Sequence, residues 1–99
     1  MLKLNLREIA SDLDVAIECF DEALNILNGY KISDKCVNAV DRQKLKKLSR
    51  RCIKLEALRD ETGTMVLERA IHLYNVQEAV EEISKVREEF KDARELINI

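Results

Sequence analysis

Two clusters of carboxylates lie in the last third of the chain, at residues 78–82 and 88–92. Carboxylates at this density bind Mg²⁺ when several of their oxygens converge on one point. Here both clusters belong to one predicted helix, where Lys85, Arg87 and Lys91 alternate with them at the spacing of weak i, i+4 ion pairs. The pattern is typical of a solvated helix face, and we predict no metal site.

The single histidine, His72, lies one helical turn after Glu68. A glutamate and a histidine on one helix face begin a di-metal site in some helical bundles, but such sites repeat the pattern on a second helix. This chain has no second histidine with which to repeat it. We therefore interpret Glu68 and His72 as a local hydrogen-bonded pair at the edge of the core.

Three cysteines, Cys19, Cys36 and Cys52, are widely spaced and form no CxxC pair. Their odd number and spacing predict reduced thiols rather than a disulfide framework or a zinc site. Cys52 falls on the core-facing side of its predicted helix, so we expect it to be buried and inert. The glycine-rich patterns of nucleotide-binding loops are absent as well. We therefore predict a non-enzymatic protein with no catalytic residues and no cofactor.

The most unusual chemistry in the chain is positive charge, because residues 42–54 hold seven lysines and arginines and no acid. If Leu45, Leu48 and Cys52 face the core of a helical bundle, most of these cations fan over the outer side of the helix. Six of them are the candidate partner-binding residues, namely Lys44, Lys46, Lys47, Arg50, Arg51 and Lys54.

Three interpretations of these cations remain open. They dock on an acidic surface of another protein, they follow a nucleic-acid backbone, or they pair with the acidic first helix of the same chain. The net charge of −2 and the lack of aromatic residues among the cations disfavour nucleic acid. We expect a protein–protein interaction module, of accessory, regulatory or inhibitor type, and keep a nucleic-acid-associated protein as the alternative.

Helices must position these residues, because the chain has no proline, two glycines and few aromatic residues. Apolar residues three and four apart predict an all-α, antiparallel bundle of three long helices, at about residues 6–28, 34–60 and 65–98. We expect residues 1–99 to form a single helical-bundle domain. The chain has neither an apolar run that spans a membrane nor a signal-peptide pattern, so we expect a cytoplasmic protein.

Capping residues set the predicted helix ends. Asn5 caps the first helix, and Gly29 ends it in the left-handed conformation. Ser33 caps the second helix and Thr64 the third. The apolar phase of the second helix is lost near Asp41, which indicates a bend or a restart there. The first helix carries the clearest repeat, a heptad series of Leu6, Leu13, Phe20 and Leu27.

The third predicted helix changes its apolar face near Asn75. It is either broken there or continuous and buried on different sides, and the lack of glycine or proline favours a continuous or kinked helix. A continuous helix would be about 51 Å long, against about 35 Å for the first helix, so its end would be uncovered.

That uncovered end predicts self-association, with a homodimer as the expected assembly. A second apolar stripe on the first helix, formed by Val15, Cys19 and Ile26, favours the same assembly. The candidate self-association residues are Val86, Phe90, Leu96 and Ile97.

Overall fold

Four α-helices and one short 3₁₀ helix form the described part of the computed structural model, which comprises residues 5–30, 37–58, 65–72 and 75–98. The α-helices are α1 (Leu6–Asn28), α2 (Ala39–Ile53), α3 (Val66–Ile71) and α4 (Val76–Glu95), and the 3₁₀ helix (Glu56–Leu58) follows α2. These residues contain no strand. The predicted all-α bundle is therefore confirmed, with four helices rather than three.

α1 is the helix against which α2, the 3₁₀ helix and α4 all pack. Asn5 caps it as predicted, since the Asn5 side chain accepts a hydrogen bond from the Arg7 N–H at 2.9 Å. The predicted left-handed Gly29 is wrong, because Gly29 has φ −65° and ψ −20°. The N–H groups of Gly29 and Tyr30 instead donate to carbonyls of the last turn, and this tighter ending needs no left-handed residue.

α2 starts later and ends earlier than the predicted second helix. Asn38 caps it by accepting a hydrogen bond from the Asp41 N–H at 2.8 Å, so the loss of apolar phase near Asp41 marks the helix start. The helix ends at Ile53, where the chain turns into the 3₁₀ helix. The predicted caps Ser33 and Thr64 lie outside the described residues.

The predicted third helix is broken into α3 and α4. Asn75 has an extended backbone, and its side chain accepts hydrogen bonds from the N–H groups of Gln77 at 2.9 Å and Glu78 at 3.3 Å. These bonds satisfy amides that a continuous helix would have bonded to its preceding turn. The preference for a continuous helix was wrong, and the alternative of a break at Asn75 is confirmed.

α4 runs antiparallel to α1. Asp14 near the start of α1 accepts a hydrogen bond at 2.9 Å from Arg94 near the end of α4. Further along α1, Asp21 pairs with Arg87, which precedes Arg94 in α4. Residue numbers therefore rise along one helix as they fall along the other.

α2 is also antiparallel to α1. Glu18 of α1 lies 3.8 Å from Arg51 of α2, whereas Asp12, earlier in α1, accepts a hydrogen bond at 3.0 Å from the N–H of Ala57, which follows α2. Asp12 thereby caps the 3₁₀ helix from a neighbouring element. α2 and α4 consequently run in the same direction on α1.

The core lies where α1 meets the other helices. The rings of Phe20 and Phe90 meet edge to face with their centroids 5.3 Å apart. The heptad positions Leu13, Phe20 and Leu27 are buried as predicted, whereas Leu6 is 59% exposed at the start of α1. The largest fully buried side chains are those of Phe20, Leu67, Ile83, Val66, Cys19 and Cys52.

Candidate binding site

The outer side of α2 presents three cations in the middle of an exposed surface. The two leucines and the cysteine predicted to face the core are buried. Lys47, Arg50 and Lys54 are exposed and, at 100° per residue, lie within about 60° of one another on the opposite side. They span about 10 Å along the helix axis. We call these three residues the central cations.

The other three candidate cations lie at the edges of this surface. Lys44 is exposed, with its Nζ 3.8 Å from Asp41 of the same helix, and Arg51 has its Nη2 3.8 Å from Glu18 of α1. Lys46 is partly buried. Exposed ion pairs of this kind contribute only about 0.2–1 kcal/mol, so Lys44 and Arg51 are held loosely.

α4, rather than α2, supplies most of the cations that neutralise α1. Arg94 pairs with Asp14 and Arg87 pairs with Asp21, and the bond with Asp21 raises the pKa of Arg87. Among the described residues, the pair with Glu18 is the one ion pair between α1 and α2. Pairing of the basic helix with the acidic helix, the third interpretation of these cations, therefore occurs at a single position in the described part of the chain. The central cations have no ion pair within the described ranges.

Exposed apolar side chains border the central cations. Val40 is 67% exposed at the start of α2, and Ile53 is 43% exposed at its end. At 100° per residue they lie on either side of the central cations. The outer side of α2 thus combines cations with apolar groups and carries no aromatic side chain.

The other residues considered for chemistry do not assemble a site. Over the described ranges, no group of three or more histidine, cysteine, aspartate or glutamate side chains is placed to hold a metal ion. His72 is exposed at the end of α3 and Glu68 is partly buried, and the structure shows no hydrogen bond between them. The predicted local pair is therefore not formed.

An open groove between α1 and α4 also lacks a free charge for a ligand. Its cation, Arg87, is already held by the carboxylates of Asp21 and Glu88. The residues that line the groove are Asp21, Leu24, Asn25, Asn28, Ser84, Arg87 and Glu88.

The structure does not gather the candidate self-association residues on one surface. Phe90 is buried in the core, Val86 and Ile97 pack partly buried against it, and Leu96 is 86% exposed. The break at Asn75 removes the long overhang from which self-association was inferred. The homodimer stays a prediction, but its sequence argument no longer holds.

Sequence reasoning missed the meeting of Cys19 and Cys52. Cys19 belongs to the second apolar stripe of α1, which we assigned to self-association. In the structure α2 packs on α1 and both cysteines are fully buried. The signal in the sequence was that two consecutive helices each carry one cysteine on an apolar face.

Comparisons with known proteins find no match to the chain among protein-family models, curated proteins or solved structures. In the described part of the chain, every helix is too short or too polar to cross a membrane.

Proposed function

We propose that this protein is a non-enzymatic, cytoplasmic interaction module that binds an acidic segment of another protein through the outer side of α2. It would act as an accessory, regulatory or inhibitor-type subunit. The observation that supports this proposal is the set of central cations, Lys47, Arg50 and Lys54, which are exposed and form no ion pair within the described residues.

The spacing of the basic residues argues for an external partner. Like charges three or four residues apart repel on a helix, and Lys47 has Arg50 and Arg51 at these distances. Arg50 has Lys54 four residues after it. The repulsion lowers the stability of α2, and a partner with carboxylates spaced one per turn would relieve it. Such charge complementarity accelerates association and selects the partner.

The surroundings of the central cations favour a protein over a nucleic acid. Val40 and Ile53 add exposed apolar area, which protein interfaces bury beside their charged groups. The surface has no aromatic ring on which a base would stack. The net charge of −2 also opposes a polyanion.

Charge reversal at matched positions tests the proposal by fluorescence anisotropy. The probe is a labelled helical peptide with one glutamate per turn. We compare Lys47→Glu/Lys54→Glu on α2 with Lys85→Glu/Lys91→Glu on α4, since all four lysines are exposed and both double variants change the net charge equally. The α2 variant should weaken peptide binding at least tenfold, about 1.4 kcal/mol, and the α4 variant much less.

Circular dichroism checks that both double variants keep the helical content of the original chain. Equal weakening by the two variants would show that only net charge matters, and an absence of peptide binding at low salt would contradict the proposal outright. A labelled DNA duplex provides the comparison with nucleic acid. Tighter binding of the duplex than of the peptide at physiological salt would favour the nucleic-acid alternative.

A further inference from the structure

Cys19 of α1 and Cys52 of α2 form a buried thiol pair. Both side chains are fully buried in the same core cluster, and neither is in a disulfide. The residue before each cysteine also contacts its counterpart, because Glu18 and Arg51 lie 3.8 Å apart. The two helices are therefore aligned at the level of the cysteines.

Small side chains lie one turn from each cysteine. Ala16 and Ala23 are fully buried one turn before and after Cys19, and lie within about 60° of it on α1. Ser49, also buried, lies one turn before Cys52 on α2. A disulfide requires Cα atoms about 4.4–6.8 Å apart. Because Cα atoms lie about 2.3 Å from the helix axis, residues that face each other between helices packed about 8–10 Å apart can meet this distance. Small residues at a contact favour the shorter end of that packing range.

We propose that Cys19 and Cys52 are a modification site at which a peroxide oxidises the two thiols to an intramolecular disulfide that joins α1 to α2. Both cysteines lie in the core, so this proposal is independent of the function proposed for the outer side of α2.

The reaction needs one thiolate and one peroxide. The neighbouring Cys52 thiol, helped by the charge of Arg51, lowers the pKa of Cys19, whereas the neighbouring Cys19 and burial raise the pKa of Cys52. The Cys19 thiolate attacks a peroxide oxygen and breaks the O–O bond. The hydroxide released takes up the proton that Cys19 lost and becomes water, which leaves Cys19 as a sulfenic acid.

The second step forms the disulfide. The sulfur of Cys52 attacks the sulfur of Cys19, and the sulfenic hydroxyl leaves with the proton of Cys52 as a second water. The two thiols have then lost two electrons and two protons, and the peroxide has been reduced to two waters. Because both sulfurs are covered, peroxide reaches them when α2 opens from α1, so oxidation is slower than for an exposed thiol.

Peptide mapping of the peroxide-treated protein tests the proposal. The reduced full-length chain is incubated with hydrogen peroxide, its remaining thiols are blocked with iodoacetamide, and it is digested with trypsin. Cleavage after lysine and arginine places Cys19, Cys36 and Cys52 in three different peptides, residues 8–31, 36–42 and 52–54. The main product should be a cross-link between the first and third peptides that dithiothreitol cleaves.

A control treats the protein in denaturant, where all three cysteine pairings should form. If the Cys19–Cys52 disulfide predominates in the native protein but not in the denatured protein, the fold selects the pair. Sulfinic or sulfonic acids on uncross-linked cysteines, or cross-links dominated by Cys36, would overturn the proposal. The oxidised native protein should also melt several degrees higher than the reduced one, because the bridge closes a loop of about 33 residues.

Discussion

Tyr30 and Asp41 connect the end of α1 to the first turn of α2. The hydroxyl of Tyr30 donates a hydrogen bond to the Asp41 carboxylate, and its oxygen accepts one from the Asn38 N–H at 3.4 Å. The bond to the carboxylate raises the pKa of Tyr30 above its ordinary value of 10.0. The folded protein therefore holds the phenolic proton to higher pH than the unfolded chain does.

This bond makes the stability of the protein depend on pH in the alkaline range. Because the pKa of Tyr30 is raised on folding, its contribution is complete below pH 10.0 and is lost as the pH rises through the folded-state value. Tyr30→Phe should lower the free energy of unfolding at neutral pH and remove part of its decline above pH 10.0. Denaturant melts of both proteins across this range measure the difference, and identical pH profiles would contradict the assignment.

The burial of Phe90 distinguishes a core residue from an interface residue. Phe90 packs edge to face on Phe20, so Phe90→Ala should lower the free energy of unfolding by about 3–5 kcal/mol. Leu96→Ala is the matched control, since Leu96 is 86% exposed and its loss should change stability by less than about 0.5 kcal/mol. Denaturant melts compare the two. A large loss for Leu96→Ala, with little for Phe90→Ala, would reverse these roles.

The helix ends of this protein are set by asparagine caps. Asn5, Asn38 and Asn75 each accept a backbone hydrogen bond at the start of an α-helix. The predicted start of α1 was right, because its cap and its heptad repeat begin together. α2 was predicted too long, because the prediction placed its cap at Ser33, whereas the Asn38 side chain caps the helix. The loss of apolar phase near Asp41 predicted a bend or a restart and in fact marks the helix start.

Composition alone did not predict the break at Asn75, because this segment contains no glycine or proline. The side chain of Asn75 competes with the preceding turn for the amides of Gln77 and Glu78, so the helix restarts without glycine or proline. The change of apolar face near Asn75 was visible in the sequence. Whether that change breaks the helix or leaves it continuous depended on how α3 and α4 pack on the rest of the bundle.

Removing this cap should destabilise the protein. Asn75→Ala should lower the free energy of unfolding by about 0.5–2 kcal/mol, because two amides at the start of α4 lose their acceptor. Asn25→Ala is the control, since Asn25 is exposed within α1 and alanine is the better helix former there. Thermal melts of the two variants give the comparison. An unchanged or higher melting temperature for Asn75→Ala would show that the cap is unimportant.

The described residues form an elongated body of 47 × 21 × 17 Å. The central cations and the ion pairs between α1 and α4 lie on different sides of this body. Arginines of α4 neutralise carboxylates of α1, while the central cations of α2 point away from this contact. The helical pattern placed six cations on the outer side of α2, and five of them are exposed, whereas Lys46 is partly buried. The pattern did not predict that arginines of α4 would form ion pairs with the aspartates of α1, because such pairs depend on which helices become neighbours.

A charge exchange between protein and partner tests the proposed binding surface most directly. The triple variant Lys47→Glu/Arg50→Glu/Lys54→Glu, which reverses all three central cations, and the original chain are each titrated with the glutamate peptide and with the same peptide carrying lysines in place of its glutamates. If the outer side of α2 is the binding surface, the original chain prefers the glutamate peptide and the variant prefers the lysine peptide, each by at least tenfold. If the variant fails to gain binding to the lysine peptide, the central cations do not form the interface and the proposed function is wrong.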